Sequence, residues 1–243
     1  MSLRTSPPSF FATTRWTLVC EAARGGDTGA TEALGDLFAT YWQPLYRYAR
    51  RKGKSKEDAE DLVQGFLAHL LEANGLRDTT REKGRFRSFL LASFGNWIVN
   101  EWRHSARLKR GGGVSLISFD WESAETGLKL EIPDDRSPDR LFDREWALAL
   151  LAKVLGELEA ACRADGNAAQ FTLLKPCLTT DSGSIRYAEL AAALGMTEGA
   201  TRVAIHRLRK RYRALLNQEI ARTLSSPEAV EDEMRALFTV LAG

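Results

Sequence analysis

Between Ile185 and Tyr212 the chain runs from an apolar-patterned segment, through a glycine, into a segment crowded with arginine. Few folds accommodate that order. The stretch from Ile185 has the pattern of a short amphipathic helix ending at Gly195, which suits a left-handed helix stop. Thr197 or Glu198 can open a second helix after a brief turn. Two helices joined by a tight glycine-containing turn make a helix-turn-helix, and the second of them can enter the DNA major groove. That second helix carries Arg202, Arg207, Arg209, Lys210, Arg211 and Arg213 against one acid, Glu198. Duplex DNA is a dense line of negative charge and is the partner such an excess fits. A merely solvated helix can show the same face, so the reading needs support from elsewhere in the chain.

That support is a second basic segment upstream. The net charge of +2 over 243 residues hides strong segregation. Arg85 to Gly113 holds six basic residues and one acid, whereas Asp120 to Glu145 holds nine acids and four bases. Charge asymmetry of this kind says more about partners than the total does. With 44% hydrophobic residues the chain can pack a core. Cys20, Cys162 and Cys177 form no paired metal-ligand motif and are expected as reduced thiols of a cytoplasmic protein. No run approaches a membrane span, and no long apolar stretch precedes Arg15, so neither membrane insertion nor a secretory leader is expected.

Periodicity makes the chain all-α, as two small helical domains joined by an acidic linker. Residues 1–113 form an N-terminal helical domain, 114–140 a linker without sustained periodicity, 141–225 a C-terminal helix-turn-helix domain and 226–243 an amphipathic extension. Leu34, Leu37, Phe38, Tyr41 and Trp42 share one helix face, with Pro44 expected to kink or restart that helix. Ser55 is the expected cap of a helix whose apolar face is Ala59, Leu62, Val63, Phe66 and Leu70. A further helix over about 85–110 buries Phe86, Phe89, Leu90, Phe94, Trp97, Ile98 and Trp102. Val114 to Phe119 is the only strand candidate.

Two constellations carry chemistry. Glu57, Asp58, Glu60 and Asp61 put four acids in five positions near a helix start. Such a cluster can hold a divalent metal, or simply favour the helix dipole. In the upstream basic segment Asn96, Asn100, Arg103 and Arg107 are spaced by four, three and four, one polar stripe opposite the aromatic face. Amides and guanidiniums suit base edges and phosphates. Trp97 and Trp102 could stack on unpaired bases, although their spacing favours the core.

Taken in order, these segments resemble a sigma factor of the sigma-70 family, in its extracytoplasmic-function group. Asp58-Ala59-Glu60-Asp61-Leu62-Val63-Gln64 matches the group's signature. The resemblance implies that Asp58, Glu60, Asp61 and Gln64 contact core RNA polymerase. It implies that Asn96, Asn100 and Arg103, with Arg87 and Arg107, meet the minus-ten promoter element. It implies further that Thr201, Arg202, His206, Arg207, Arg209 and Lys210 meet the minus-thirty-five element. The chain departs from the pattern at Gly65, commonly Glu, at Asn100, commonly Asp, and at Ala204, where an arginine is usual. A sigma factor needs no catalytic residue, cofactor or metal. Segment 226–243 exceeds the minimal group and resembles a branch often encoded beside serine/threonine kinases. That adds a regulatory kinase or an anti-sigma factor to the implied partners.

Two rivals belong to other classes. A stand-alone helix-turn-helix regulator would not need the acidic signature and would usually need dimer symmetry. A metal-dependent nuclease would need a second carboxylate or histidine set, while His69, His104 and His206 are scattered. The extension, apolar at Val230, Met234, Leu237, Phe238 and Leu241, must find a partner for that face. It can pack on its own C-terminal domain, or fold back over basic surface or the N-terminal domain and hold the DNA-reading surfaces closed.

Overall fold

A computed structural model describes residues 28–71, 86–105, 119–129, 137–224 and 229–242. Within them the chain is helical: α1 (Thr28–Arg51), α2 (Lys56–Leu71), α3 (Phe86–Ser105), α4 (Trp121–Lys129), α5 (Pro138–Ala164), α6 (Ala168–Leu174), α7 (Tyr187–Leu194), α8 (Glu198–Ala221) and α9 (Val230–Ala242). Short 3-10 turns at Lys175–Leu178 and Ser182–Ser184 link α6 to α7.

α1 is the wall on which the N-terminal helices are built. It buries Phe38, Tyr41, Leu45, Tyr46, Tyr48 and Ala49, which ring more than one of its faces. α2 packs on it through Ala59, Val63, Phe66 and Leu70, and α5 through Phe142, Trp146, Ala147 and Leu150. Pro44 does not restart the helix: α1 runs through it from Thr28 to Arg51. Proline removes one intrahelical hydrogen bond there. The buried side chains on both sides of it, Tyr41 and Leu45 among them, hold the helix together.

Local chemistry sets the starts. Ser55 Oγ accepts from the Asp58 amide at 3.0 Å and caps α2. Ser137 Oγ accepts from the Arg140 amide at 3.4 Å, with Pro138 as the first residue of α5. The acidic segment expected to be irregular contains α4. Asp120 Oδ1 accepts from the Ser123 amide at 3.0 Å, and Phe119 and Trp121 close on Trp42 of α1 at ring distances of 4.9 and 5.1 Å. Glu125 locks this helix down, accepting from Tyr46 Oη at 2.7 Å and from Arg50 at 2.9 and 3.0 Å. Nine residues are too few for a stable helix alone, so tertiary contacts of this kind maintain it. The strand candidate lies outside the described residues except for Phe119, which is not in a strand.

A second apolar cluster joins Leu158 and Cys162 of α5, Phe171 and Leu174 of α6, and Ile205 and Leu208 of α8. Pro176 coincides with the change from α to 3-10 geometry after α6. The far end of α8 leaves this cluster and enters the first one through Leu216 and Ile220.

α9 completes the first cluster with Met234 and Leu237, against α5 and α8. It also reaches α3: Arg87 Nε lies 2.8 Å from Glu233 Oε1, and Arg87 Nη1 lies 2.7 Å from Asp143 of α5. The Arg87 guanidinium sits 4.8 Å over the Trp146 ring. Close by, the Phe86 amide donates to the Thr223 carbonyl at 3.3 Å. The start of α3 is thus tied both to the extension and to the chain just past α8. Phe238 faces solvent, so the apolar face of α9 is narrower than its spacing suggested.

Candidate functional site

The acidic start of α2 separates into two faces. Asp58 and Asp61 are exposed and, with Leu62 and Gly65, line a groove completed by Lys54 and by Trp97, Ile98 and Glu101 of α3. Glu60 is partly buried on another face. Desolvation pushes its carboxyl above the usual carboxylate range despite the cation of Lys56. Lys56 pairs with Glu122, tying α2 to α4. Gln64 is half-buried. Trp97 forms the floor of the groove, stacked on His69 at 5.1 Å and close to Phe66 at 6.2 Å. A Cβ at position 65 would stand 3.3 Å from the Trp97 ring. Gly65 therefore lets the indole approach α2 closely. Among the described residues no three His, Cys, Asp or Glu side chains converge as metal ligands.

On α3, Asn96 and Asn100 are exposed, with Val99 between them, 49% exposed. Arg103 lies in the last turn of the same helix, and Arg107 lies outside the described residues. Arg87 is not on this exposed face. It is buried in the ion cluster with Glu233 and Asp143. Its sequence position next to Phe86, on the side of α3 that also carries Leu90 and Phe94, is the signal that separates it from the stripe.

The third element is α7, the turn after it and α8. Gly195 has φ +62°, the left-handed conformation that L side chains rarely adopt, and the Met196 amide donates to the Ala191 carbonyl at 2.9 Å. Thr197 Oγ1 caps α8 by accepting from the Ala200 amide at 3.2 Å. Arg202, His206, Arg207 and Lys210 are exposed on α8. Thr201 is fully buried, its hydroxyl donating to the Thr197 carbonyl at 3.0 Å. Arg209 is turned inward: Nε donates to the Cys177 carbonyl at 2.9 Å, Nη2 to the Thr180 carbonyl at 2.6 Å and Nη1 to Ser182 Oγ at 2.9 Å. It fastens α8 to the segment before α7. Arg211 is held 2.7 Å from Asp165.

Two residues of this surface escape sequence reasoning. Val203 stands 48% exposed among the cations of α8, and Tyr187 opens α7 with its ring 3.7 Å from the Arg202 guanidinium carbon. Spacing with Leu190 and Leu194 marks Tyr187 as core, and Val203 reads as a lone apolar residue in a basic run.

No helix among the described residues is long and apolar enough to cross a membrane. No curated protein and no solved structure matches the chain. Residues 37–108, which contain both the acidic groove and the polar stripe, match the family described as Sigma-70 region 2. Over residues 37–108 the chain thus carries region 2 of the sigma-70 family, whose members are transcription initiation factors rather than enzymes.

Proposed function

We propose that this chain is a sigma factor of the extracytoplasmic-function group, recruiting core RNA polymerase in the cytoplasm to promoters read at two elements. Asp58, Asp61 and Gln64 beside the Trp97 groove dock on the polymerase, with Glu60 bracing α2 from behind. Asn96, Asn100, Arg103 and Arg107 take the opened minus-ten strand. Extruding and trapping a base costs a few kcal/mol, which amide and guanidinium contacts offset. α7 and α8 form a helix-turn-helix that binds the minus-thirty-five duplex, with Arg202, His206, Arg207 and Lys210 outward. Thr201 and Arg209 hold the reading helix in place from within, and Arg87 does the same for α3.

The observation that carries this reading is the region 2 match over residues 37–108 followed, in the same chain, by the exposed cationic face of α8. A stand-alone regulator accounts for the second feature but not the first. The test is run-off transcription: purified protein is added to core polymerase on genomic fragments. Discrete transcripts that depend on the protein support the reading, and their absence with active core refutes it.

A further inference from the structure

Arg202 is the cation of α8 whose orientation is defined by stacking as well as charge. Its guanidinium carbon lies 3.7 Å from the centroid of Tyr187, and one Nη is 3.8 Å from Glu198. The side chain is still 57% exposed. The Tyr187 ring is itself fixed. It packs against the cluster containing Phe171, Leu174, Ile205 and Leu208, and its hydroxyl is 3.5 Å from the Ser182 carbonyl. A guanidinium is planar and carries its five N–H donors around its edge. With one face on the tyrosine, the edge stays free to donate. A bidentate pair to guanine O6 and N7 in the major groove uses two coplanar N–H groups of this kind. Arg202 also sits near the N-terminal end of its helix, where base edges are reached. Holding the group in place beforehand removes ordering entropy that a free arginine would lose on binding.

We propose that Tyr187, which lies outside the reading helix, sets the base specificity of the chain by holding Arg202 for a guanine in the major groove. This rests on the reading of α7 and α8 as the minus-thirty-five reader. Tyr187 is a positioning residue, and the guanine is contacted by Arg202 alone. Among the described residues Arg207 and Lys210 make no comparable ring contact, and they serve phosphates.

The experiment is a randomised-promoter selection with the full chain and core polymerase, followed by binding to duplexes that differ at the selected base pair. Tyr187→Phe keeps the ring and should keep the selected sequence. Tyr187→Leu should lose on the order of tenfold discrimination at one guanine, with binding to the other duplexes unchanged. Arg202→Lys keeps the charge but lacks the planar fork, and should lose discrimination at that same base pair. The double variant should lose no more than either single one. Circular dichroism checks that each variant is folded. Should Tyr187→Leu not fold, Tyr187→Met takes its place, since a flexible apolar chain can fill the same site. The idea is overturned if the Leu or Met variant keeps the wild-type sequence, loses all sequences equally, or changes a base pair other than the one Arg202→Lys changes. If the wild type selects no sequence with active core, the functional reading falls and takes this inference with it. If the wild type selects one and the variants match it, this inference alone falls.

Discussion

Glu233→Ala is the sharpest test of how the extension is held. Glu233 is 1% exposed and Arg87 6%, with 2.8 Å between Oε1 and Nε. Removing one partner of a buried ion pair generally costs about 3–5 kcal/mol, because the other charge stays desolvated. Here the guanidinium keeps Asp143 at 2.7 Å, itself 35% exposed, and the face of Trp146. Those contacts retain part of the compensation, so about 2–3 kcal/mol is expected. For a chain of this size each kcal/mol moves the melting midpoint by about 2–4 °C, so the shift should be about 4–12 °C. Circular dichroism measures the free energy by urea denaturation and the midpoint by thermal melting in wild type, Glu233→Ala, Arg87→Met and the pair Arg87→Met/Glu233→Leu. The single changes should each be costly, while the apolar pair should recover most of the loss. A Glu233→Ala protein within about 0.5 kcal/mol of wild type, the size of an ordinary surface change, would show that the cluster does not hold the extension.

Reversing the exposed charge in Asp61→Lys should weaken binding to core polymerase by about 2–5 kcal/mol in a titration of the folded variant, and unchanged binding would remove this face from the interface. Asn96→Ala and Asn100→Ala should lower permanganate reactivity of thymines near the start site more than they lower initial duplex binding. Equal losses in both would mean that the stripe only grips phosphates. Burial, and then Asp139, push the Tyr48 phenol from its ordinary 10 up to about 12, so the folded state favours the neutral ring. Its contribution to stability is complete below pH 10 and is lost as pH rises through 12. Tyr48→Phe should therefore gain stability relative to wild type as the pH is raised above 10 in chemical denaturation; a difference that does not change with pH would rule this out.

Features set by nearest neighbours were legible in the sequence. Ser55 caps α2 and Gly195 turns the chain after α7 because each depends on residues within one helical turn. α4 was hidden because its nine residues are held by Trp42, Tyr46 and Arg50, more than seventy positions earlier. Whether Pro44 ends α1 is decided the same way, since the packing that keeps the helix continuous comes from α2 and α5. In the candidate site, charge identified which segments are cationic but not which cations face outward. Arg87 and Arg209 look like their neighbours in composition, yet both are turned inward by carboxylates or carbonyls distant in sequence. The only local hint lies in spacing: Arg209 follows Leu208, between Ile205 and Tyr212 on the inward face of α8. Tyr187 and Arg202 could not be paired without the turn that brings α7 across α8.

α8 is one uninterrupted helix of 24 residues that belongs to two apolar clusters. At 1.5 Å per residue, Arg202 stands about 27 Å along the axis from Ile220. The helix is therefore a lever, with its exposed end among the cations and its seated end beneath α9. A tilt of about 5° at the seat would move the exposed end by about 2.4 Å over that length, enough to break a hydrogen bond to a base. Substitutions at Leu216 or Ile220, remote from any nucleic acid, can thus alter what the opposite end reads while leaving every side chain at that end intact.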